Sequence, residues 1–371
     1  MKKKILVTRS SLPPLEEYVD KIKGIWDTCW MTNMGPVYQE LEQDMKKYLA
    51  CKNLELYVNG HMALDVAIKA LRLTGEVLTT PFTFASTTHA LVLNGLTPVF
   101  CDIKPDDYTI DEDKVESLIT KKTSAILAVH VYGRPCNIKR LREIADKHHL
   151  KLLFDAAHAF GVRVDGEPIA NFGDVSMFSF HATKVFNTIE GGALVYRDDS
   201  LTRSLKSLRN FGIESPESVV QPGLNAKMNE FAAAMGVCNL KYLDENIRKR
   251  KHVAEFYSSR LKDCPGIQMI DFENDSRVTW NYSYFPITVD EKKAGCTRDD
   301  LFEGLQKENI FTRKYFYPLV PDYECYREQF GRCPLPVARY VADRVLTLPM
   351  YADLTEEDLE RICRAVLKII R

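Results

Sequence analysis

The stretch Ala125-Ile126-Leu127-Ala128-Val129-His130-Val131-Tyr132 decides the fold class of this sequence. It is nearly all apolar and lacks the alternation of a half-exposed strand, so it predicts a strand buried on both faces. Residues 151–155, KLLFD, predict a second strand of the same kind, and residues 138–149 between them have helical period and charge. Such strands separated by helices are typical of a mainly parallel sheet covered by helices.

Further strands are predicted on both sides of this pair. They lie at residues 54–58, 76–80, 97–102, 174–180 and 193–197. An amphipathic helix follows the Asn59-Gly60 turn. The last two strands are predicted to be neighbours, separated by a polar turn and Gly191-Gly192.

The C-terminal third predicts a smaller α/β unit. A long helix at residues 228–261 is expected to lead into it. Strands and helices are then predicted at residues 267–270, 282–289, 297–308 and 355–370. We therefore expect a large α/β domain at residues 1–240, which includes an N-terminal segment, and a smaller α/β domain at residues 241–371.

Composition excludes several classes of partner. The 371 residues carry 50 Lys and Arg against 51 Asp and Glu, and this balance gives no support for nucleic acid or an anionic membrane as a partner. No run approaches the roughly 18 apolar residues that span a bilayer, and the basic N-terminus lacks the apolar core of a secretory signal. The ten cysteines are scattered without a CxxC pair, which favours a cytoplasmic protein with reduced thiols and no metal site.

Ligands of open parallel sheets bind beyond the carboxyl ends of the strands. Two such places offer groups for binding a phosphate and a ring. Val58-Asn59-Gly60-His61 joins a strand to a helix N-terminus, whose free amides suit a phosphate. Pro81-Phe82-Thr83-Phe84 offers an aromatic ring for stacking. The ordinary alternative for residues 58–61 is a plain strand–helix connection. For residues 81–84 it is an aromatic residue in the core.

Two more places offer reactive groups. In residues 154–158, FDAAH, the strand-end Asp155 can pair with a cationic ring nitrogen, although capping of a helix is its ordinary alternative role. Residues 179–184, SFHATK, put Lys184 just after an apolar strand, where burial lowers the pKa of a lysine and suits it to form a Schiff base. A surface lysine is the ordinary alternative. The order of the four places along the chain matches what pyridoxal 5′-phosphate needs: a phosphate site, a stacking ring, a carboxylate and a lysine.

At these residues the sequence resembles the sugar aminotransferases of the DegT/DnrJ/EryC1/StrS type, which are pyridoxal-phosphate enzymes of fold type I. The most specific stretches lie at residues 32–36, 81–87, 129–133, 155–161, 179–192 and 223–228. The resemblance covers essentially the whole chain. It implies a large cofactor-binding α/β domain, a smaller C-terminal α/β domain and pyridoxal 5′-phosphate as the cofactor.

The resemblance also implies roles at the cofactor ring. Lys184 is the catalytic residue, which binds the aldehyde of the cofactor. Asp155 bonds the pyridine nitrogen, and His158 lies near the phenolic oxygen, where many relatives have Gln. Phe84 stacks on the ring.

At the other end of the cofactor, the resemblance implies that Ser179 and the amides of Gly60 and His61 hold the phosphate. Many relatives have Thr at the position of His61, so the side-chain contact depends on how an imidazole fits there. Asn225 is expected to reach the phosphate of the neighbouring subunit. The active unit would then be a homodimer with active sites at the subunit interface.

Three further residues are candidates for the substrate side, namely His181, Lys227 and Tyr317. Many relatives have Arg at the position of Lys227, where it is thought to bind the carboxylate of the amino donor. Lys supplies the charge there but not a bidentate fork.

Within the family, residues 129–133 and 179–192 are most similar to viosamine-type enzymes. These use L-glutamate to aminate dTDP-4-keto-6-deoxy-D-glucose, giving dTDP-4-amino-4,6-dideoxy-D-glucose. A 3-keto-sugar aminotransferase of the same family, a same-fold sugar dehydratase and a non-enzymatic regulator remain alternatives. Lys184 argues against the dehydratase, because such relatives carry His there, and the intact Lys184, Asp155 and Ser179 count against the regulator.

Overall fold

The computed structural model describes residues 3–272 and 275–370. Its helices are α1 (Leu15–Thr28), α2 (Pro36–Tyr48), α3 (Gly60–Ala70), α4 (Ala85–Leu93), α5 (Glu112–Val115), α6 (Ile138–Lys147), α7 (Leu201–Arg209), α8 (Glu230–Leu240), α9 (Leu243–Leu261), α10 (Glu291–Ala294), α11 (Arg298–Lys307), α12 (Arg327–Phe330), α13 (Pro336–Ala342) and α14 (Glu356–Ile369). Its strands are β1 (Leu54–Tyr57), β2 (Glu76–Thr79), β3 (Thr97–Phe100), β4 (Thr123–Val129), β5 (Lys151–Asp155), β6 (Arg163–Val164), β7 (Glu167–Pro168), β8 (Val175–Ser179), β9 (Gly192–Tyr196), β10 (Ile213–Ser215), β11 (Ser218–Val219), β12 (Ile267–Met269), β13 (Val278–Thr279), β14 (Phe285–Val289) and β15 (Val345–Leu348).

A seven-stranded sheet with the order β1-β9-β8-β5-β4-β2-β3 organises the larger part of the molecule. The five strands from β8 to β3 run parallel, and β9 runs antiparallel to both β8 and β1. The mainly parallel sheet predicted from the apolar runs is therefore confirmed. The antiparallel edge was not predicted, because a short apolar strand has the same residue pattern in either direction.

The run that predicted the fold class ends as a strand earlier than expected. β4 stops at Val129, and Tyr132 adopts a left-handed conformation with φ of 57°. The backbone N–H of Tyr132 donates to Nδ1 of His158 at 3.1 Å. The second half of the apolar run is thus a buried turn at the carboxyl edge of the sheet, since burial alone does not require a strand.

The single long helix predicted at residues 228–261 is wrong. The structure has α8 and α9 instead, separated at Lys241 and Tyr242. Both of these residues bind Glu17 of α1, Lys241 through an ion pair at 3.0 Å and Tyr242 through its hydroxyl. The break lets α8 lie buried along most of its length while α9 packs one face against the C-terminal strands.

The C-terminal unit, defined here as β12, β14 and β15 with α9, α11 and α14, has its own apolar core. Its three strands form an antiparallel sheet in the order β12-β14-β15. Ile5, from far away in the chain, is also buried in this core with Tyr257 and Leu346. The division at residues 240 and 241 stays a prediction, and the contact of Ile5 shows that the first residues described join the later unit.

Aromatic rings connect the two parts of the molecule. Phe82 and Tyr132, beside the large sheet, contact Phe316 at ring-centre distances of 5.7 and 5.9 Å. Tyr132 also contacts Tyr284 at 5.8 Å. These rings are buried and belong to one apolar cluster, so they hold residues 284 and 316 against the carboxyl edge of the sheet.

Within residues 3–272 and 275–370, no helix combines the length and apolar composition needed to cross a membrane. All ten cysteines are free thiols.

Candidate active site

A cavity of about 570 Å³ opens at the carboxyl ends of β4, β5 and β8. Residues that the sequence analysis selected line it: Gly60, His61, Phe84, Asp155, His158, Ser179, His181 and Lys184. Its other wall comes from the C-terminal part of the chain, with Tyr284, Tyr315 and Phe316. The sequence pattern does not predict these aromatic residues, because their approach to the cavity depends on tertiary packing.

The N-terminus of α3 and the end of β8 meet at one end of the cavity. Asn59 caps α3, with its Oδ1 accepting from the N–H of Met62 at 2.8 Å. A Cβ on Gly60 would come within 2.9 Å of Ser179 Cβ, and one on Gly192 within 2.6 Å of the Gly60 nitrogen. The two glycines therefore let Ser179 approach the N-terminus of α3 closely. The first amides of a helix lack intrahelical partners, so this is a favourable arrangement for an anion.

His61 is tied to the neighbouring helix at this end of the cavity. Its Nδ1 lies 2.9 Å from the Ser86 hydroxyl oxygen, at the start of α4. One ring nitrogen is therefore already paired with protein. The backbone amide of His61 belongs to the first turn of α3, where amides lack intrahelical partners.

Asp155 is a buried carboxylate at the end of β5. Its Oδ2 accepts from the Thr87 hydroxyl at 2.7 Å, and its Oδ1 accepts from the N–H of Ala157 at 3.1 Å. Burial raises the pKa of Asp155, while these two hydrogen bonds and the charge of Lys184 act in the opposite direction. A cationic group bound in the cavity would favour the ionised carboxylate further.

His158 is buried with a defined tautomer. Its Nδ1 accepts the backbone N–H of Tyr132, which assigns the ring proton to Nε2. Burial, with a smaller contribution from the charge of Lys184, holds the pKa of His158 well below its usual range. The ring lies edge-on to Tyr284 at 4.9 Å and parallel to Phe316 at 5.9 Å. The side chain is therefore a neutral hydrogen-bond donor in the wall of the cavity.

Lys184 lies in the turn after β8, where its backbone N–H donates to the carbonyl of His181 at 2.9 Å. Burial lowers the pKa of Lys184 to about 8, against the opposing effects of Asp155 and Tyr315. Its side chain lines the cavity together with Asp155 and Tyr315, the two groups whose charges act on it. Such a lysine is a better nucleophile and base than an ordinary one, because a larger fraction of it is neutral near physiological pH than of a lysine with the usual pKa of 10.5.

Two further predicted residues lie at the mouth of the cavity. Phe84 is 58% exposed, so it is not the core aromatic considered as an alternative. His181 is also exposed, with Nδ1 at 2.8 Å from the Thr183 hydroxyl and Nε2 at 3.6 Å from a Glu190 carboxylate oxygen. Both side chains are accessible to a ligand that enters the cavity.

The sequence model of the DegT/DnrJ/EryC1/StrS aminotransferase family matches residues 15–367. The chain belongs to this family. Two relatives named dTDP-4-amino-4,6-dideoxy-D-glucose transaminase are similar over their whole length, at 42% identity in Shigella dysenteriae with 100% of both chains covered and 43% in Escherichia coli with 98% of each. A crystal structure of DesI in the presence of its TDP-sugar product has a TM-score of 0.94 at 38% identity, covering 99% of this chain and 93% of that one. The family, the fold type and the enzyme class implied by the sequence are confirmed.

Three predicted residues lie away from the cavity of this aminotransferase. Lys227 donates from Nζ to the Oδ1 atoms of Asn225 and Asn210, both at 2.8 Å. The ring of Tyr317 packs against the guanidinium of Arg298 at 4.7 Å. The roles of Asn225, Lys227 and Tyr317 stay predictions. In this chain it is Tyr315, two positions earlier than Tyr317, that lines the cavity.

Proposed function

We propose that this aminotransferase uses pyridoxal 5′-phosphate to move the amino group of L-glutamate to dTDP-4-keto-6-deoxy-D-glucose, forming dTDP-4-amino-4,6-dideoxy-D-glucose. The observation that carries the proposal is one cavity that contains a lysine of lowered pKa, a buried carboxylate and a helix N-terminus. The two relatives that match the chain from end to end carry the name of this transaminase, which supports the choice of sugar.

The residues present fit the cofactor. Gly60 lets the N-terminus of α3 approach Ser179 closely, since a Cβ at residue 60 would collide with the Ser179 side chain. A serine hydroxyl next to a helix N-terminus suits a phosphate. Asp155 is a buried carboxylate that a cationic pyridine nitrogen would stabilise. When bound, pyridoxal phosphate supplies an aldehyde that condenses with amines and a ring that accepts the electron pair released from the substrate carbon.

The protein's own side chains would bind the cofactor, orient it and transfer protons. Lys184 Nζ would hold the aldehyde carbon of the cofactor in the resting enzyme. When the amine of glutamate has freed it, the same Nζ would take the proton from the α-carbon of glutamate and give it up to the cofactor carbon. Asp155 would keep the pyridine nitrogen protonated, and the Nε2–H of His158 would donate to the phenolic oxygen. Tyr284 and Phe316 pack against the His158 ring and would limit the access of water on that side of the cavity.

We also propose a homodimer in which Asn225 serves the active site of the partner subunit. Asn225 and Lys227 are outside the cavity of their own chain. The same region exposes the apolar side chains of Phe211, Val219 and Val220, which a second copy would bury.

In the decisive experiment, the cofactor-loaded enzyme is incubated with L-glutamate and a panel of dTDP-, UDP- and GDP-linked keto sugars. The product is then identified by NMR. We expect 2-oxoglutarate and a 4-amino sugar from the dTDP-linked 4-keto substrate, and neither product with Lys184→Ala. An amine at C3 would favour the 3-keto-sugar enzyme. Loss of a sugar hydroxyl without 2-oxoglutarate would favour a dehydratase, and a cofactor spectrum insensitive to glutamate would favour a regulator.

A further inference from the structure

Asn281, which is 1% exposed, connects the backbone around His158 to the backbone that leads into β14. Its Nδ2 donates to the carbonyls of His158 and Phe160 at 2.7 and 3.0 Å. Its Oδ1 accepts from the backbone N–H of Ser283 at 3.2 Å. The amide is therefore fully used in holding one segment of the large unit against the chain that enters β14.

Ser283 completes the connection on the other side. Its hydroxyl donates to the carbonyl of Tyr132 at 2.7 Å. The N–H of the same residue, Tyr132, donates to Nδ1 of His158. The hydrogen bonds thus form a closed ring that runs from the His158 carbonyl through Asn281, Ser283 and Tyr132 to the imidazole of His158.

Gly133 shows how closely the members of this ring are packed. With φ of +85°, it has a backbone conformation that favours glycine. A Cβ there would lie 2.6 Å from Asn281 Oδ1 and 3.0 Å from both the His158 carbonyl oxygen and the Ser283 hydroxyl. The ring therefore has little room for an alternative arrangement.

The closed ring of hydrogen bonds lies where the large unit meets the C-terminal unit, and this location gives it a functional consequence. Residues 280–284 connect β13, which pairs with β6 beside the large sheet, to β14 of the C-terminal unit. Hydrogen bonds in such a buried place are costly to lose, because each loss leaves a polar group without a partner. Asn281 and Ser283 do not line the cavity themselves, and their hydrogen bonds reach His158 through its own carbonyl and through Tyr132.

We propose that Asn281 and Ser283 are positioning residues that hold the amide of Tyr132 against Nδ1 of His158, so that the imidazole presents Nε2–H to the bound cofactor. They act through His158 and do not contact the reacting atoms. The proposal deepens the proposed function and rests on it for the identity of the cofactor.

The test compares Ser283→Ala and Asn281→Leu with the wild-type enzyme, loaded with pyridoxal phosphate and also free of it. Nitrogen NMR of protein labelled at the histidine rings reports the tautomer, and His158→Gln identifies the His158 signals. We expect the wild type to show an acceptor nitrogen at Nδ1, and both variants to show mixed tautomers. We also expect kcat to fall about tenfold, with little change in KM for glutamate. Ser283→Thr retains the hydroxyl, so we expect this variant to give the same His158 signals as the wild type.

Tyr257→Phe is the matched control. It removes another buried hydroxyl–carbonyl hydrogen bond, from Tyr257 to the Pro349 carbonyl at 2.9 Å, inside the C-terminal unit. We expect it to lower Tm without changing the His158 signals or kcat. Unchanged His158 signals and kcat in Ser283→Ala would overturn the proposal, and this holds even if Asn281→Leu does not fold. Because the tautomer is measured without cofactor as well, that failure is distinct from a failure of the proposed transamination.

Discussion

Burial shifts the pKa values of Lys184 and Asp155 in opposite directions, and the charge of each residue counteracts the shift of the other. Without cofactor, both groups are held in an environment that disfavours their charged forms. Bound pyridoxal phosphate would engage Lys184 covalently and give Asp155 a cationic partner. Burial of these two groups therefore destabilises the cofactor-free fold, and binding of the cofactor would offset this destabilisation.

This cost predicts a pH-dependent effect of Lys184→Met on the cofactor-free protein. The pKa of Lys184 is about 8 in the folded state against 10.5 for an ordinary lysine. The burial penalty is complete below about pH 8, shrinks between pH 8 and 10.5, and is absent above 10.5. We expect the variant to raise Tm at neutral pH and to lose this gain above pH 10.5, as followed by thermal unfolding.

Lys139→Met, at an exposed position, is the control and should show no such gain. An increase in Tm for Lys184→Met that persists above pH 10.5 would show that the ammonium is not the source of the penalty.

Thr87 and Thr88 provide a second comparison at this scale. The Thr87 hydroxyl binds Asp155 and lowers its pKa, whereas the buried hydroxyl of Thr88 has no partner among the described residues. Thr87→Val should therefore raise the pKa of Asp155 and move the acid limb of the kcat/KM profile to higher pH. Thr88→Val, with the same change in shape, should leave that limb in place. Coincident profiles for the two variants would argue against a role for ionised Asp155.

At the scale of secondary-structure elements, the N-terminus of α3 reaches its position because β9 begins with a glycine. Gly192→Ala would put a Cβ 2.6 Å from the Gly60 nitrogen and push α3 away from Ser179. We expect weaker binding of pyridoxal phosphate in equilibrium titrations, and a loss of about 1–3 kcal/mol in the free energy of unfolding.

Gly24→Ala is the matched control, because a Cβ on this helical glycine would meet nothing within 4 Å. Its expected effect is a stabilisation of up to about 1 kcal/mol, from helix propensity, with unchanged cofactor affinity. Equal cofactor affinity in Gly192→Ala and the wild type would contradict the assignment of this helix end to the phosphate.

The secondary-structure elements also show which parts of the site and fold the sequence predicts and which it does not. Apolar runs mark the ends of buried strands, so Asp155, Ser179 and Lys184 were predicted in their places at the carboxyl edge. Tyr315 was not, because a residue that reaches the cavity from another unit leaves no periodic signal in its own segment. The break between α8 and α9 was missed for a similar reason, since it depends on contacts with Glu17 that lie far away in the chain.

At the scale of the whole molecule, the proposed dimer predicts complementation between inactive subunits. We expect Lys184→Ala and Asn225→Ala to be impaired separately. In a mixed dimer, the subunit with intact Lys184 would receive an intact Asn225 from its partner, so one wild-type site is restored. Activity measured after unfolding and refolding the two variants together should therefore exceed that of either alone.

Refolding each variant by itself is the control for this experiment, and light scattering gives the oligomeric state. If Asn225 acted within its own chain, no combination of the two subunits would contain a wild-type site. Mixed samples no more active than the Asn225→Ala homodimer would then reject the shared active site.

The contact of Ile5 with the C-terminal unit has a consequence for the order of folding. The N–H of Ile5 donates to the carbonyl of Asn309, and its carbonyl accepts from the N–H of Phe311. The seven strands of the large sheet lie between residues 54 and 196, so all of them are synthesised before residues 309 and 311. Contacts so distant in sequence form slowly. Ile5 therefore cannot make these two hydrogen bonds until the chain has grown past residue 311, so the apolar core of the C-terminal unit is completed late in synthesis.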